Sequence, residues 1–236
     1  MNILAIDSSS ATASVALMQG DKLVSEFFID AGLTHSQTLA PMVKAVLESA
    51  NVSPDSIDLF AVTNGPGSFT GLRIAASMAQ AMALVNNKPC VGVSSLHALA
   101  LNYSGRCKYI CACMDARRGQ VYSAVFEVCD DSIKRITPDY ATTIDELIKY
   151  LKSLDSSVEF VGDGAEACYN LAVEQSETVY KFDLLPSDKR YLQARYVAKL
   201  GCHEFKFSGG KIENFSLNYL KMPQAERLLK SNQLKI

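Results

Sequence analysis

Asn2-Ile3-Leu4-Ala5-Ile6-Asp7-Ser8-Ser9-Ser10 and, further along, Tyr109-Ile110-Cys111-Ala112-Cys113-Met114-Asp115-Ala116-Arg117-Arg118-Gly119 carry one pattern. Each is a short apolar run that ends on a carboxylate, turns through small or basic residues, and resumes as a second β-prone run. The second runs are Ala13 to Met18 and Val121 to Phe126. Apolar runs of this length, bounded by turn residues, read as buried strands. A pattern repeated at this scale predicts two related α/β halves, each a sheet covered by helices. We place them at residues 1–103 and 104–236.

Working outward from the first carboxylate, Gly20-Asp21 is a turn signal and Lys22 to Ile29 a third strand, which completes an antiparallel meander. Thr34 suits a helix N-cap, and Leu39, Met42, Val43, Val46 and Leu47 recur at the spacing of one helical face. Ile57 to Thr63 reads as a strand broken by Asn64-Gly65-Pro66-Gly67. A second helix runs from Ser68 or Thr70 to Val85, a strand follows at Cys90 to Val93, and a helix containing Leu96, Leu99 and Leu101 closes the half. In the second half, Glu146 to Leu154 reads as a helix, and Val158 to Val161 as a strand leading into Gly162-Asp163-Gly164.

Composition narrows the function classes. The chain has 236 residues, 48% hydrophobic and 20% charged, as expected of a folded globular protein. Its net charge of -2 and the lack of a Lys/Arg run argue against a chain that grips nucleic acid unaided, because phosphate neutralisation needs clustered cations. No stretch approaches a bilayer span, and the opening apolar run is too short for a signal peptide. Seven cysteines without C-x-x-C spacing read as reduced thiols, so we expect a cytoplasmic protein with no membrane contact.

Three constellations bear on chemistry. Gly65 to Arg73 is a glycine-rich strand-to-helix turn, either an anion cradle or a tight turn that merely places the next helix. It lacks the lysine of a Walker loop. From Ile74 to Val85 only Ser77 and Gln80 are polar, and Ala75, Ala79 and their neighbours are small. A helix this apolar needs cover on more than one side, either from the first helix of its own subunit or from a partner, and Met78 and Met82 add an adaptable patch that favours the partner. Asp7 and Asp115 could face one another across a cleft, where carboxylates suit a hydrated cation beside phosphates, and Arg117 with Arg118 could hold an anion or equally form a solvated turn. His35 opens the first helix, but Leu39 stands where a second metal-binding histidine would be, so no bound metal is expected.

Four segments together resemble the TsaB (YeaZ) family: N-I-L-A-I-D-S-S at the start, T-H-S-Q-T-L at Thr34 to Leu39, N-G-P-G-S-F-T-G-L-R at Asn64 to Arg73, and M-D-A-R-R-G-Q-V-Y at Met114 to Tyr122. The likeness is densest through about residue 126. It implies an actin-like (sugar kinase and Hsp70-like) two-lobed fold. It also implies a non-catalytic dimerisation subunit of the machinery that makes threonylcarbamoyladenosine on tRNA. The catalytic partner implied is a TsaD-like transferase carrying the metal; a TsaE-like protein supplies the ATPase, the chain pairs with a second copy when alone, and tRNA is met only through the complex. The transferred threonylcarbamoyl group would pass from its adenylate to the N6 amine of the adenosine beside the anticodon.

By the same resemblance, the partner surface comprises His35, Leu39, Met42 and Val46 of the first helix. From the second it takes Ser68, Phe69, Thr70, Arg73, Ala75, Met78, Ala79 and Met82. Asp7, Asp115 and Arg117 would border an anion or adenine nucleotide at the partner junction, with no cofactor in the isolated chain. Leu217-Asn218-Tyr219-Leu220-Lys221 resembles a family P-x-Y-L-R element but lacks its proline and arginine. Beyond it, Ala225, Leu228 and Leu229 would form one apolar stripe. The alternative to a scaffold is an actin-like ATP-dependent kinase or phosphotransferase using Asp7 and Asp115. A metal-dependent glycoprotease is disfavoured by Leu39.

Overall fold

The structure, a computed structural model, describes residues 1–130, 132–176, 181–210 and 215–221. The apolar runs become the centres of two sheets. In the first, β1 (Asn2–Asp7) lies between β2 (Ala13–Gln19) and β4 (Leu59–Gly65), with β3 (Lys22–Ile29) and β5 (Cys90–Ser94) at the edges. In the second, β6 (Tyr109–Asp115) lies between β7 (Gln120–Cys129) and β10 (Val158–Val161). Strands β8 (Ser132–Arg135) and β11 (Phe182–Leu184) flank these, and β9 (Tyr140–Thr143) also pairs with β7. β1 runs antiparallel to β2 and parallel to β4. β6 repeats this, antiparallel to β7 and parallel to β10. The expected duplication is therefore present in the strand pairing itself.

Both central strands are covered on both faces, which is why their interiors, Ile3 to Ile6 and Ile110 to Met114, are continuously apolar rather than alternating. On one side of the first sheet, Leu4, Ile6, Phe60 and Val62 pack with Leu39, Met42 and Val46 of α1 (His35–Ser49) and with Ala75 and Ala79 of α2 (Phe69–Val85). On the other side, Ile3, Ala5 and Ala61 join Leu96 and Leu99 of α3 (Ser95–Ala100), Val197 and Ala198 of α6 (Ala194–Phe207), and Ala112 and Phe126 of the second sheet. The far face of the second sheet packs Cys111, Val125 and Phe160 against α4 (Ile144–Ser153) and α5 (Ala165–Glu174). Helices α3 and α6 thus share the core that joins the two sheets.

Helix α6 belongs by sequence to the second half but packs on the strands of the first. Two polar ties hold its N-terminus there: Ala194 N donates to Ser14 Oγ at 2.9 Å, and Arg195 Nε donates to Glu26 Oε2 at 2.6 Å. All seven cysteines are free thiols, with Cys111, Cys113, Cys168 and Cys202 buried. Among the described residues no helix is long and apolar enough to cross a membrane. The apolar stripe expected at Ala225, Leu228 and Leu229 lies outside the described residues.

Candidate functional site

A cleft of about 780 Å³ opens between the lobes, and both Asp-containing turns contribute to its walls. One wall carries Ser9 and Ser10, which follow β1, and Ser68, Phe69 and Thr70 at the start of α2. The other carries Asp115 to Arg118, which follow β6. The two carboxylates nevertheless occupy different environments.

Asp7 is fully buried and does not line the cleft. Its Oδ1 accepts the Thr63 hydroxyl at 2.6 Å and the Ser9 amide at 3.1 Å, while Oδ2 has no hydrogen-bond partner. Burial raises its pKa, opposed by the hydrogen bonds from Thr63 and Ser9. Asp7 therefore pins the serine turn to β4 from below instead of presenting a charge to a ligand.

The serine turn is in turn the seat of α2. Ser8 Oγ donates to Gly71 O at 2.9 Å, Ser68 N donates to Ser9 O at 2.7 Å, and His35 Nε2 lies 2.9 Å from Ser10 O. A Cβ on Gly71 would strike the Ser8 carbonyl oxygen, so this crossing requires glycine. Ser68 is the N-cap, its Oγ accepting from Gly71 N at 3.3 Å. Of the two readings of Gly65 to Arg73, the geometry thus favours a packing turn: the Ser68 and Gly71 amides are already taken by the protein.

The second turn is charged and open. Asp115 Oδ1 accepts the Arg117 amide at 2.7 Å, and the Arg117 guanidinium stands 3.4 Å from Asp115 Oδ2 with its side chain 84% exposed. Arg117 and Arg118 both have positive φ, 66° and 58°, which is costly for residues with a Cβ and is sustained by the hairpin around them. Beneath the turn, Asp163 Oδ1 accepts the Asp115 amide at 3.1 Å. Burial pushes the Asp163 carboxyl up to about 6, with the Asp115 charge adding to the rise and the Asp115 amide opposing it.

Residues 218–221 also line the cleft. Tyr219 lies 4.9 Å from Phe69 ring to ring, Arg73 sits 3.8 Å over the Phe69 ring, and Arg73 Nε donates to the Tyr219 hydroxyl at 3.0 Å. Lys221 Nζ donates to Ala116 O at 2.8 Å, which ties this stretch to the second turn.

The expected partner surface divides. Leu39, Met42, Val46, Ala75 and Ala79 are buried against the first sheet, and bringing the larger of them out to meet a partner would forfeit about 1.5–3 kcal/mol each. These five are core residues, a correction to the expectation. Met78 and Met82 are half-buried on the same core, as are His35 and Phe69 at the cleft, while Ser68, Thr70 and Arg73 are exposed. The outward side of α2 is completed by the polar Ser77 and Gln80, the small Ala81, and two residues absent from the expected partner surface, Leu84 and Val85. Leu84 and Val85 are 82% and 84% exposed. The helical period, counted from the buried alanines, could have found them.

Comparison with known proteins agrees with this architecture. Residues 30–233 match the family model described as "TsaD: tRNA N6-adenosine threonylcarbamoyltransferase". The chain is 33% identical over 162 residues to the tRNA threonylcarbamoyladenosine biosynthesis protein TsaB of Bacillus subtilis, covering 69% of this chain and 71% of that protein. It belongs to the TsaB family. The TsaB of Escherichia coli is also 33% identical, over 177 residues, covering 74% of this chain and 76% of that one. A Pseudomonas aeruginosa protein described as similar to peptidase YeaZ superposes with a TM-score of 0.76 at 24% identity, over 93% of this chain and 99% of its own. The fold is the actin-like, sugar-kinase-type α/β fold expected for a TsaB protein.

Proposed function

We propose that the chain acts in the biosynthesis of threonylcarbamoyladenosine on tRNA as a non-catalytic subunit that binds and steadies a TsaD-like transferase through the outward face of α2. The observation that carries this is the exposure of Leu84 and Val85, one turn beyond the small exposed Ala81. Small residues let a second helix approach closely, and covering such side chains is worth about 0.8 kcal/mol per CH₂. The names of its relatives supply the pathway: they are tRNA threonylcarbamoyladenosine biosynthesis proteins. With a net charge of -2 the chain meets tRNA through the assembly, not alone. The same face pairs two copies when the transferase is missing, a TsaE-like ATPase completes the assembly, and the assembly works in the cytoplasm.

An adenine nucleotide at the junction would find room in the cleft and would set its phosphates near Arg117 and Arg118. Asp7, sealed beneath the serine turn, would not reach it. The same burial counts against the phosphotransferase alternative, which needs Asp7 at the cleft surface.

Reconstitution with TsaD-like and TsaE-like proteins, ATP, threonine-derived adenylate and tRNA tests the proposal. Ala81→Glu and Leu84→Glu should abolish co-purification with the transferase and the modification of tRNA, while the circular dichroism of the chain stays unchanged. Equal modification with this chain left out would end the scaffold reading.

A further inference from the structure

Residues 215–221 touch both lobes within one short stretch of chain. Toward the first lobe, Phe215 lies against Gly92, Asn218 N donates to Asn64 O at 2.7 Å, and Tyr219 packs at a tilt against Phe69 and accepts from Arg73. Toward the second, two residues later, Lys221 Nζ donates to Ala116 O and stands 5.6 Å over the Tyr122 ring. Gly65 marks how closely the stretch is laid down. It has a φ of 122°, and a Cβ there would run into the Asn218 carbonyl oxygen.

The lobes have another polar tie, away from the cleft lining. Ser94 Oγ, the N-cap of α3, donates to Asp139 Oδ2 at 2.7 Å, and Arg135 bonds both groups. That tie joins the lobes where α3 meets the second sheet. At the cleft, the hydrogen bonds through Asn218 and Lys221 connect the end of β4 to the turn after β6.

We infer that residues 215–221 are an interlobe strap that sets the opening of the cleft and, through Tyr219, holds Arg73 in place at the head of α2. The chemistry of its two ends supports this assignment. Asn218 uses a backbone amide on a backbone carbonyl, which fixes the strap to the first lobe independently of side-chain identity. Lys221 reaches a carbonyl of the very turn that holds Arg117 and Arg118 in left-handed conformations, so it braces a strained loop from outside. Releasing either end loosens both turns, because each is held partly through the other. The inference is independent of whether a transferase docks on α2.

Hydrogen exchange of the full chain, read by mass spectrometry, tests it across the cleft. Lys221→Met keeps the aliphatic stem over Tyr122 and removes the ammonium. The strap predicts that this variant exchanges faster not only at 115–120 but also at 65–73, which Lys221 Nζ does not bond, by roughly tenfold as expected for one lost hydrogen bond to a charged group. Asn218→Pro, which deletes the amide, should likewise accelerate 115–120. Peptides from α4 serve as the internal control and should not change. Faster exchange confined to 115–120 in Lys221→Met, or no change in either turn, overturns the strap. If Asn218→Pro loosens α4 as well, it reports a damaged fold, and the cross-cleft response of Lys221→Met alone decides.

Discussion

The Thr63 hydroxyl donates to Asp7 Oδ1 at 2.6 Å inside the first sheet, and together with the burial of the acid and the Ser9 amide it makes a carboxylate of catalytic appearance a structural one. Thr63→Val would leave Oδ1 with only the Ser9 amide and a fully buried acid less satisfied. The loss should be about 1–3 kcal/mol in denaturant unfolding. In a double-mutant cycle with Asp7→Asn the two effects should not add, with a coupling of about 0.5–3 kcal/mol. Additive effects would mean that the bond does not govern the site.

Asp163 gives the protein a pH dependence of stability with a definite sign. Its folded pKa, up at about 6, exceeds the ordinary value of 3.8, so between those values the folded state holds more protons than the unfolded state. Stability from this group is therefore full at low pH and declines as pH rises through that window. Asp163→Asn keeps an acceptor for the Asp115 amide and removes the ionisation. Its unfolding free energy should lack that decline and exceed the parent's by up to about 3 kcal/mol at pH 7. Asp7, also raised by burial, contributes a slope of the same sign that the variant retains.

Gly71→Ala sets two effects against each other. Alanine favours a helix over glycine by about 1 kcal/mol, while its Cβ here meets the backbone oxygen of Ser8, which cannot swing aside as a side-chain tip can. Forcing an atom into such a contact costs about 1–3 kcal/mol. The variant should be destabilised on balance, with Tm lower by a few degrees for a chain of this size. A higher Tm would show that the serine turn yields easily.

How far this molecule could be read from its residues depends on which kind of contact is in question. The strands β1 and β6, their turns, and α2 were legible because a short apolar run, a carboxylate and a glycine-rich break are local signals. The repeat announced two related sheets but not their parallel pairings, β1 with β4 and β6 with β10, which only the structure gives. Helix α6 was missed, because its apolar face says only that it packs and not that it returns to the first sheet. At α1 periodicity rightly grouped Leu39, Met42 and Val46 on one face, but the resemblance assigned that face to a partner whereas the sheet of the same lobe covers it. In α2 the uniform apolarity hid the distinction between alanines that touch the sheet and Ala81, which does not. The bonds of Asn218, Tyr219 and Lys221 join residues distant in sequence, and nothing in a motif of that length announces them.

The two faces of the paired helices make the last prediction a contrast. Leu39→Ala opens a cavity under α1, where Leu39 is fully buried, and should cost about 2–5 kcal/mol in unfolding experiments. Leu84→Ala removes a side chain that is 82% exposed and should leave stability within about 0.5 kcal/mol of the parent. Association should respond in the opposite order. Leu84→Ala should weaken the dissociation constant for the TsaD-like subunit, or for self-association, several-fold or more in sedimentation or calorimetric titration. Leu39→Ala should leave it nearly unchanged at temperatures where the variant is folded. If Leu84→Ala leaves both associations intact, the outward face of α2 is not where this chain meets its partner, whatever its family.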